Sequence, residues 1–182
     1  MALMESNTMQ PGEKLIPFEL KDQDGNRRTS EQLSADHALL LVVFTCNHCP
    51  YAVASWPVLI DLQNRYANEL QIVAINPNNN PDYPDDHFEK MKPYVQTRGI
   101  NFPYLFDADQ SVARAYKAVC TPDPYLFRDG KLIYHGRLTD NWQHPEEVQE
   151  HSMELQIQAA LGQAEAPRET FPSMGCSIKW VR

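Results

Sequence analysis

The run Leu39–Phe44 (LLLVVF) is six apolar residues long and ends against Thr45-Cys46-Asn47-His48-Cys49-Pro50. A strand with one wet face alternates apolar and polar side chains. An unbroken apolar run suits a strand covered on both faces, which requires layers above and below the sheet. The next segment supplies a helix. From Pro50 to Asn68, Val53, Trp56, Leu59, Ile60 and residues 62–66 recur at helical spacing, with a kink or restart expected at Pro57. Ile72–Ile75 (IVAI) is a second buried strand, so the order is strand, helix, strand: a right-handed parallel crossover.

The rest of the chain extends this pattern. Ile16–Leu20 reads as a short strand before a turn at Asp24-Gly25. The polar loop 76–86 leads to a helix ending at Gly99, with Asp85 or Asp86 as its cap. Phe102–Phe106 is a strand, and Asp107 or Asp109 caps a helix over 109–118. Pro124–Phe127 and Lys131–His135 flank Asp129-Gly130 as a hairpin, and residues 145–161 form a last helix. The fold class is therefore α/β: a three-layer sandwich with one central mixed sheet flanked by helices. Residues 1–14 read as a flexible leader, 15–163 as the domain, and 164–182 as a tail packing on it.

The 182 residues fit one domain, and a formal net charge of −8 disfavours nucleic acid and anionic membranes as partners. The N-terminus lacks the basic start and apolar block of a signal peptide, so a reducing cytoplasm is the expected setting. Four cysteines, at 46, 49, 120 and 176, are too few for a disulfide scaffold.

Cys46 and Cys49 stand where a buried strand meets a helix, the edge at which open α/β sheets place their sites. Free first-turn amides and the helix dipole stabilise a thiolate there, and two intervening residues let one sulfur reach the other. A redox pair is the leading reading. Structural zinc needs four ligands where one pair exists, and no metal site is assigned. Copper delivery, assisted by His48 or Cys120, and buried inert thiols are the alternatives. Thr121-Pro122 precedes a strand. It reads either as a cis proline turn presenting the Thr121 backbone to an extended substrate or as an ordinary rigid turn.

Taken together, IPFELKDQDG, VVFTCNHCPY, AINPN, MKPY, FPYLFD, TPDPYLFRDGKLIYHGRLTD and GCSIKW resemble the thioredoxin-like superfamily, specifically its peroxiredoxin-like (redoxin, thiol-specific antioxidant) branch. The resemblance implies a thioredoxin-like fold with an N-terminal strand extension. It also implies Cys46 as attacking thiol, Cys49 as resolving thiol, and Thr121 with a cis Pro122 facing the pair. Under a peroxiredoxin alignment Cys49-Pro50 carries the nucleophile instead, and Cys46 replaces the threonine that holds peroxide. Arg137 and Arg114 are then the candidate arginines. Cys176 lies in a segment typical of the branch, sealing the active-site face or pairing with Cys120, or as part of a tail packed by Ile178 and Trp180. The expected activity is reduction of protein or small-molecule disulfides, with thiol peroxidase as the rival. No organic cofactor is implied. The expected reductant is a thioredoxin-like dithiol protein or glutathione, and the protein is expected to be a monomer or homodimer.

Overall fold

A computed structural model describes residues 3–6 and 9–181. In chain order the elements are strands β1 (Leu3–Glu5), β2 (Glu19–Asp22) and β3 (Arg27–Thr29), helix α1 (Ser30–Ser34), β4 (Leu39–Phe44), α2 (Pro50–Arg65) and β5 (Leu70–Asn76). There follow α3 (Phe88–Arg98), β6 (Tyr104–Phe106), α4 (Ser111–Ala115), β7 (Cys120–Thr121), β8 (Asp123–Arg128), β9 (Lys131–His135), α5 (Ser152–Ala160) and β10 (Met174–Ser177).

Seven strands form a mixed sheet in the order β3-β2-β6-β5-β4-β8-β9, with β4, β5 and β6 parallel. The fully buried β4 lies inside it. Leu39, Leu41 and Val43 join Trp56, Leu59 and Ile157 on one face; Leu40, Val42 and Phe44 join Tyr116 and Tyr125 on the other. Burying each such aliphatic side chain contributes about 1.5–3 kcal/mol. This is the expected thioredoxin-like three-layer sandwich.

Several elements depart from expectation. Helix α2 runs unbroken through Pro57 because buried Trp56, Leu59 and Leu62 clamp it on both sides of the missing donor. The expected helix over 145–161 reduces to α5 after one 3-10 turn at Pro145–Glu147. Between them the chain pairs elsewhere: the Asp140 amide donates to the Glu150 carbonyl, Met153 to Leu138, and the Gln149 amide to the Asp140 carboxylate. Helix α4 is shorter than 109–118, bounded by Gln110 and Lys117 at φ of 63° and 56°. Asp107 nonetheless accepts the Val112 and Ala113 amides, and Asp109 accepts that of Ser111.

The ends of the chain differ most. The leader is not loose where it is described. β1 pairs with β10, and β10 pairs with β7, in a second, three-stranded antiparallel sheet. Residues 1, 2, 7 and 8 of the leader and residue 182 of the tail lie outside the described residues. Gly175 is required here: a Cβ on it would sit 2.0 Å from the Thr121 carbonyl oxygen. No described helix is long and apolar enough to cross a membrane.

Candidate active site

Strand β4 delivers Thr45 and Cys46 to the carboxyl edge of the sheet. Cys49 is the N-cap residue of α2, extended at φ −72° and ψ 127°, and Pro50 takes the first helical position, where no amide donor is needed. Antiparallel pairing of Phe44 with Asp123 brings the turn before β8 alongside. The Thr121-Pro122 peptide is cis. Thr121 Oγ1 lies 3.3 Å from Cys46 Sγ, and Cys49 Sγ lies 3.4 Å from the Thr121 carbonyl oxygen, to which it donates when protonated. The four residues singled out in the sequence thus meet at one place.

The loop between the cysteines is fastened by Asp86, which is fully buried. Its carboxylate accepts the Asn47 amide at 2.7 Å, His48 Nδ1–H at 2.5 Å and Asn78 Nδ2 at 2.8 Å. Tyr104 Oη donates to Asn47 Oδ1 at 3.0 Å. Asp86 is therefore not the cap of α3, whose N-cap residue is His87; it belongs to the site. Its signal was positional: the polar loop 76–86 leaves a central strand at the same sheet edge as Cys46. Among the described residues, His48 Nε2 is buried without a partner, as is Thr45 Oγ1. Cys46, His48 and Asp86 bring donor atoms within 4.8 Å of one another, a set with a hard carboxylate where cuprous ion prefers sulfur. Cys120 is not in that group; its thiol donates to the Pro122 carbonyl.

Burial pushes the Cys46 thiol well up, and its neighbours Cys49 and Asp86 push the same way. Cys49 goes down to about 5. The hydrogen bond offered by the Cys46 thiol outweighs burial, and the Cys176 thiol and the Ala52 and Cys176 amides add to it. These donors favour the charge on Cys49, where the thioredoxin resemblance put it on Cys46. Burial raises Cys176 to about 12, with Cys49 beside it adding to the effect, and burial raises Cys120 as well.

Cys176, for which sealing of the active-site face and pairing with Cys120 are the expected alternatives, packs with Cys46, Cys49 and Ala52 in one buried cluster. The Thr121 edge is not open to a substrate in this state: β10 occupies it, with Cys176 opposite Thr121. The tail is held by the Lys179 amide on Asn78 Oδ1 at 2.9 Å and by Ser173 Oγ on the Pro122 carbonyl at 2.6 Å. A cleft of about 330 Å³ opens beside Pro122, walled by the tail and by Tyr51 and Trp142, whose rings are 3.8 Å apart. Neither candidate arginine is committed to the sulfurs. Arg114 stacks on Trp180, and Arg137 lies over Phe171 and pairs with Glu150.

Fold and site together define a thioredoxin-like redox protein. The sequence matches the AhpC/TSA family over residues 11–135, and the chain belongs to that family. An uncharacterized conserved protein from Geobacillus kaustophilus is 38% identical, with 100% of this chain and 97% of that one covered and a TM-score of 0.92. Peroxidoxin BcpB from Mycobacterium tuberculosis shares the fold at 21% identity, TM-score 0.62, covering 89% of this chain and 100% of its own. The thioredoxin domain of a thiol-disulfide oxidoreductase from Bacteroides vulgatus shares it at 16% identity, TM-score 0.59, covering 70% and 89%. No curated protein matches the sequence.

Proposed function

We propose that the protein is a thiol-disulfide oxidoreductase that reduces protein or small-molecule disulfides through Cys46 and Cys49. The observation that carries this reading is the meeting of both sulfurs with Thr121 at the cis proline turn, with negative charge favoured on Cys49. The Cys49 thiolate attacks one sulfur of the substrate disulfide, forming a mixed disulfide and releasing the other substrate sulfur as a thiolate. Cys46, whose nearest polar side-chain partner is Thr121 Oγ1, then gives its proton to the departing substrate sulfur and attacks Cys49. The Cys46–Cys49 disulfide forms and the second substrate thiol leaves. An external dithiol protein or glutathione restores the pair. The proposed setting is the cytoplasm, where unpaired buried thiols such as these four stay reduced.

The peroxidase reading keeps one favourable feature, a stabilised thiolate at Cys49-Pro50. Against it, Arg114 and Arg137 are engaged with Trp180 and with Phe171 and Glu150, and Cys46 stands where a threonine would help hold peroxide. The test is to mix the reduced protein with oxidised glutathione or with hydrogen peroxide and to map trapped species in Cys46→Ser and Cys49→Ser. The expected result is oxidation at Cys49 in Cys46→Ser, trapped as a glutathione adduct when Cys176 is also replaced by Ser, and no adduct on Cys46 in Cys49→Ser. Faster sulfenate formation at Cys49 than adduct formation would replace this reading with the peroxidase.

A further inference from the structure

We propose that Cys176 is a third redox thiol, to which the Cys46–Cys49 disulfide is passed. The proposal rests on the oxidoreductase reading and adds the route by which the oxidised enzyme meets its reductant. Three observations carry it. First, Cys176 lies opposite Thr121 in the β7–β10 pairing, and Thr121 contacts both Cys46 and Cys49. Second, the sulfur-bearing side chains of Cys46, Cys49 and Cys176 share one buried cluster, and of the two pair sulfurs it is Cys49 that Cys176 assists in holding charge. Third, the tail is built into the site. Gly175 lets its backbone meet the Thr121 carbonyl, and Lys179, Asn78 and Asp86 form one hydrogen-bonded chain from tail to cysteine loop. The tail thus lies on the proline turn as an extended substrate would, with a thiol at the reacting position.

The step is an internal exchange. The Cys176 sulfur, deprotonated, attacks Cys49 Sγ of the Cys46–Cys49 disulfide. The Cys49–Cys176 bond forms, the Cys46–Cys49 bond breaks, and Cys46 leaves as a thiolate that takes up the proton Cys176 gave away. Two electrons remain missing from the enzyme before and after, so the step needs no further oxidant. Burial and the charge on Cys49 both hold Cys176 protonated in the reduced enzyme, and disulfide formation removes that charge. The product places the disulfide on β10, whose outer neighbour β1 is three residues long and exposed. Opening β1 gives an external dithiol access to Cys176 while Cys46 stays beneath the tail.

Tryptic cleavage separates the participants: residues 29–65 carry Cys46 and Cys49, 118–128 carry Cys120, and 169–179 carry Cys176. The reduced full chain is oxidised with excess oxidised glutathione, quenched by alkylation and digested without reductant. The expected result is a linked 29–65/169–179 species in the wild type, dominant in Cys46→Ser and lost in Cys49→Ser. Cys176→Ser is expected to form the Cys46–Cys49 disulfide normally, yet to be re-reduced by an external dithiol about tenfold more slowly. If the wild type and Cys46→Ser give no linked species while the wild type forms Cys46–Cys49, the relay is wrong and the oxidoreductase reading stands. Unchanged re-reduction in Cys176→Ser also overturns the relay. If all four thiols stay free after oxidation, both readings fall.

Discussion

Two buried aspartate–histidine pairs lie in this fold, and each aspartate stands near a cysteine. Asp86 holds His48 Nδ1 at 2.5 Å beside Cys46, and Asp123 holds His135 Nε2 at 2.6 Å near Cys120. Burial raises both thiols, and the nearby carboxylate adds to it in each case. The pairs differ in what remains free. His135 accepts the Met9 amide at Nδ1, meets Asp123 at Nε2 and lies 3.9 Å from the Tyr125 ring, so both nitrogens are engaged. His48 has Nε2 buried with no partner among the described residues. Both nitrogens of one pair are fastened, whereas the other pair acts on its neighbourhood chiefly through the Asp86 carboxylate, which raises Cys46.

Removing the satisfied pair should therefore have the largest effect on stability and none on the chemistry of Cys46 and Cys49. Asp123→Ala leaves His135 Nε2–H without its acceptor and takes one acceptor from the Tyr125 hydroxyl. A loss of about 1–3 kcal/mol is expected in urea unfolding. The milder Asp123→Asn is expected to leave alkylation of Cys49 at pH 7 unchanged. A several-fold change in that rate would erase the distinction between the two pairs.

The next effect is pH-dependent. Cys49 is lowered from about 9 to about 5 chiefly by the Cys46 thiol, so between these values the unfolded chain binds a proton that the folded chain does not. Stability should rise with pH across that window, by at most about 1.4 kcal/mol per pH unit. Above about 9 the sign reverses, because Cys46 and Cys176 keep protons that the unfolded chain releases. Asp107, raised by burial to about 6, titrates at the lower end. Urea midpoints at pH 6.5 to 9 under reducing conditions, compared with Cys49→Ser, isolate the thiolate. Equal slopes in both proteins would move the charge off Cys49.

How far such features could be read in the sequence depended on whether they are local. The strand Leu39–Phe44 and the helix after it follow from the pattern of their own side chains, and the centre of the mixed sheet follows from them, whereas the edge strand Arg27–Thr29 carries no apolar residue to mark it. The meeting of Cys46 with Thr121 was legible through family resemblance, because 75 residues separate them. The second sheet was not: MGCS neither alternates nor carries β-branched residues, and it becomes a strand because Gly175 permits backbone contact with Thr121. Asp86 looked like a helix cap because an aspartate before a helix usually is one. Its role depends on Asn47, His48 and Asn78 converging from two other positions in the chain. The charge preference between Cys46 and Cys49 was equally out of reach, since it is set by which donors face each sulfur.

A smaller effect sharpens the comparison from the side of the open pair. Asp86→Asn retains a side-chain oxygen for the Asn47 amide while removing the negative charge near Cys46. Burial and Cys49 still hold the Cys46 thiol up, so only part of its suppression is relieved. The share of alkylation falling on Cys46 at pH 7 is expected to rise a few-fold and to stay below that on Cys49. Fragment-ion mapping of residues 29–65 measures the ratio directly. An unchanged ratio would mean that Asp86 acts on the loop alone and not on the sulfur.

A third imidazole–carboxylate pair supplies the control. His144 Nδ1 lies 3.5 Å from Glu146 Oε1, with the side chains 58% and 71% exposed. In water a unit-charge pair at such a distance interacts by about 1 kcal/mol, and immobilising both side chains offsets most of that. The backbone amide of His144 bonds Asn141 Oδ1, a contact that truncation of the ring leaves in place. His144→Ala is thus expected to leave the urea midpoint and the Cys46-to-Cys49 alkylation ratio within error. A measurable loss of stability would mean that proximity of the two groups suffices. No change places the cause in burial, which makes the partner of every donor and acceptor at Asp86 and Asp123 matter.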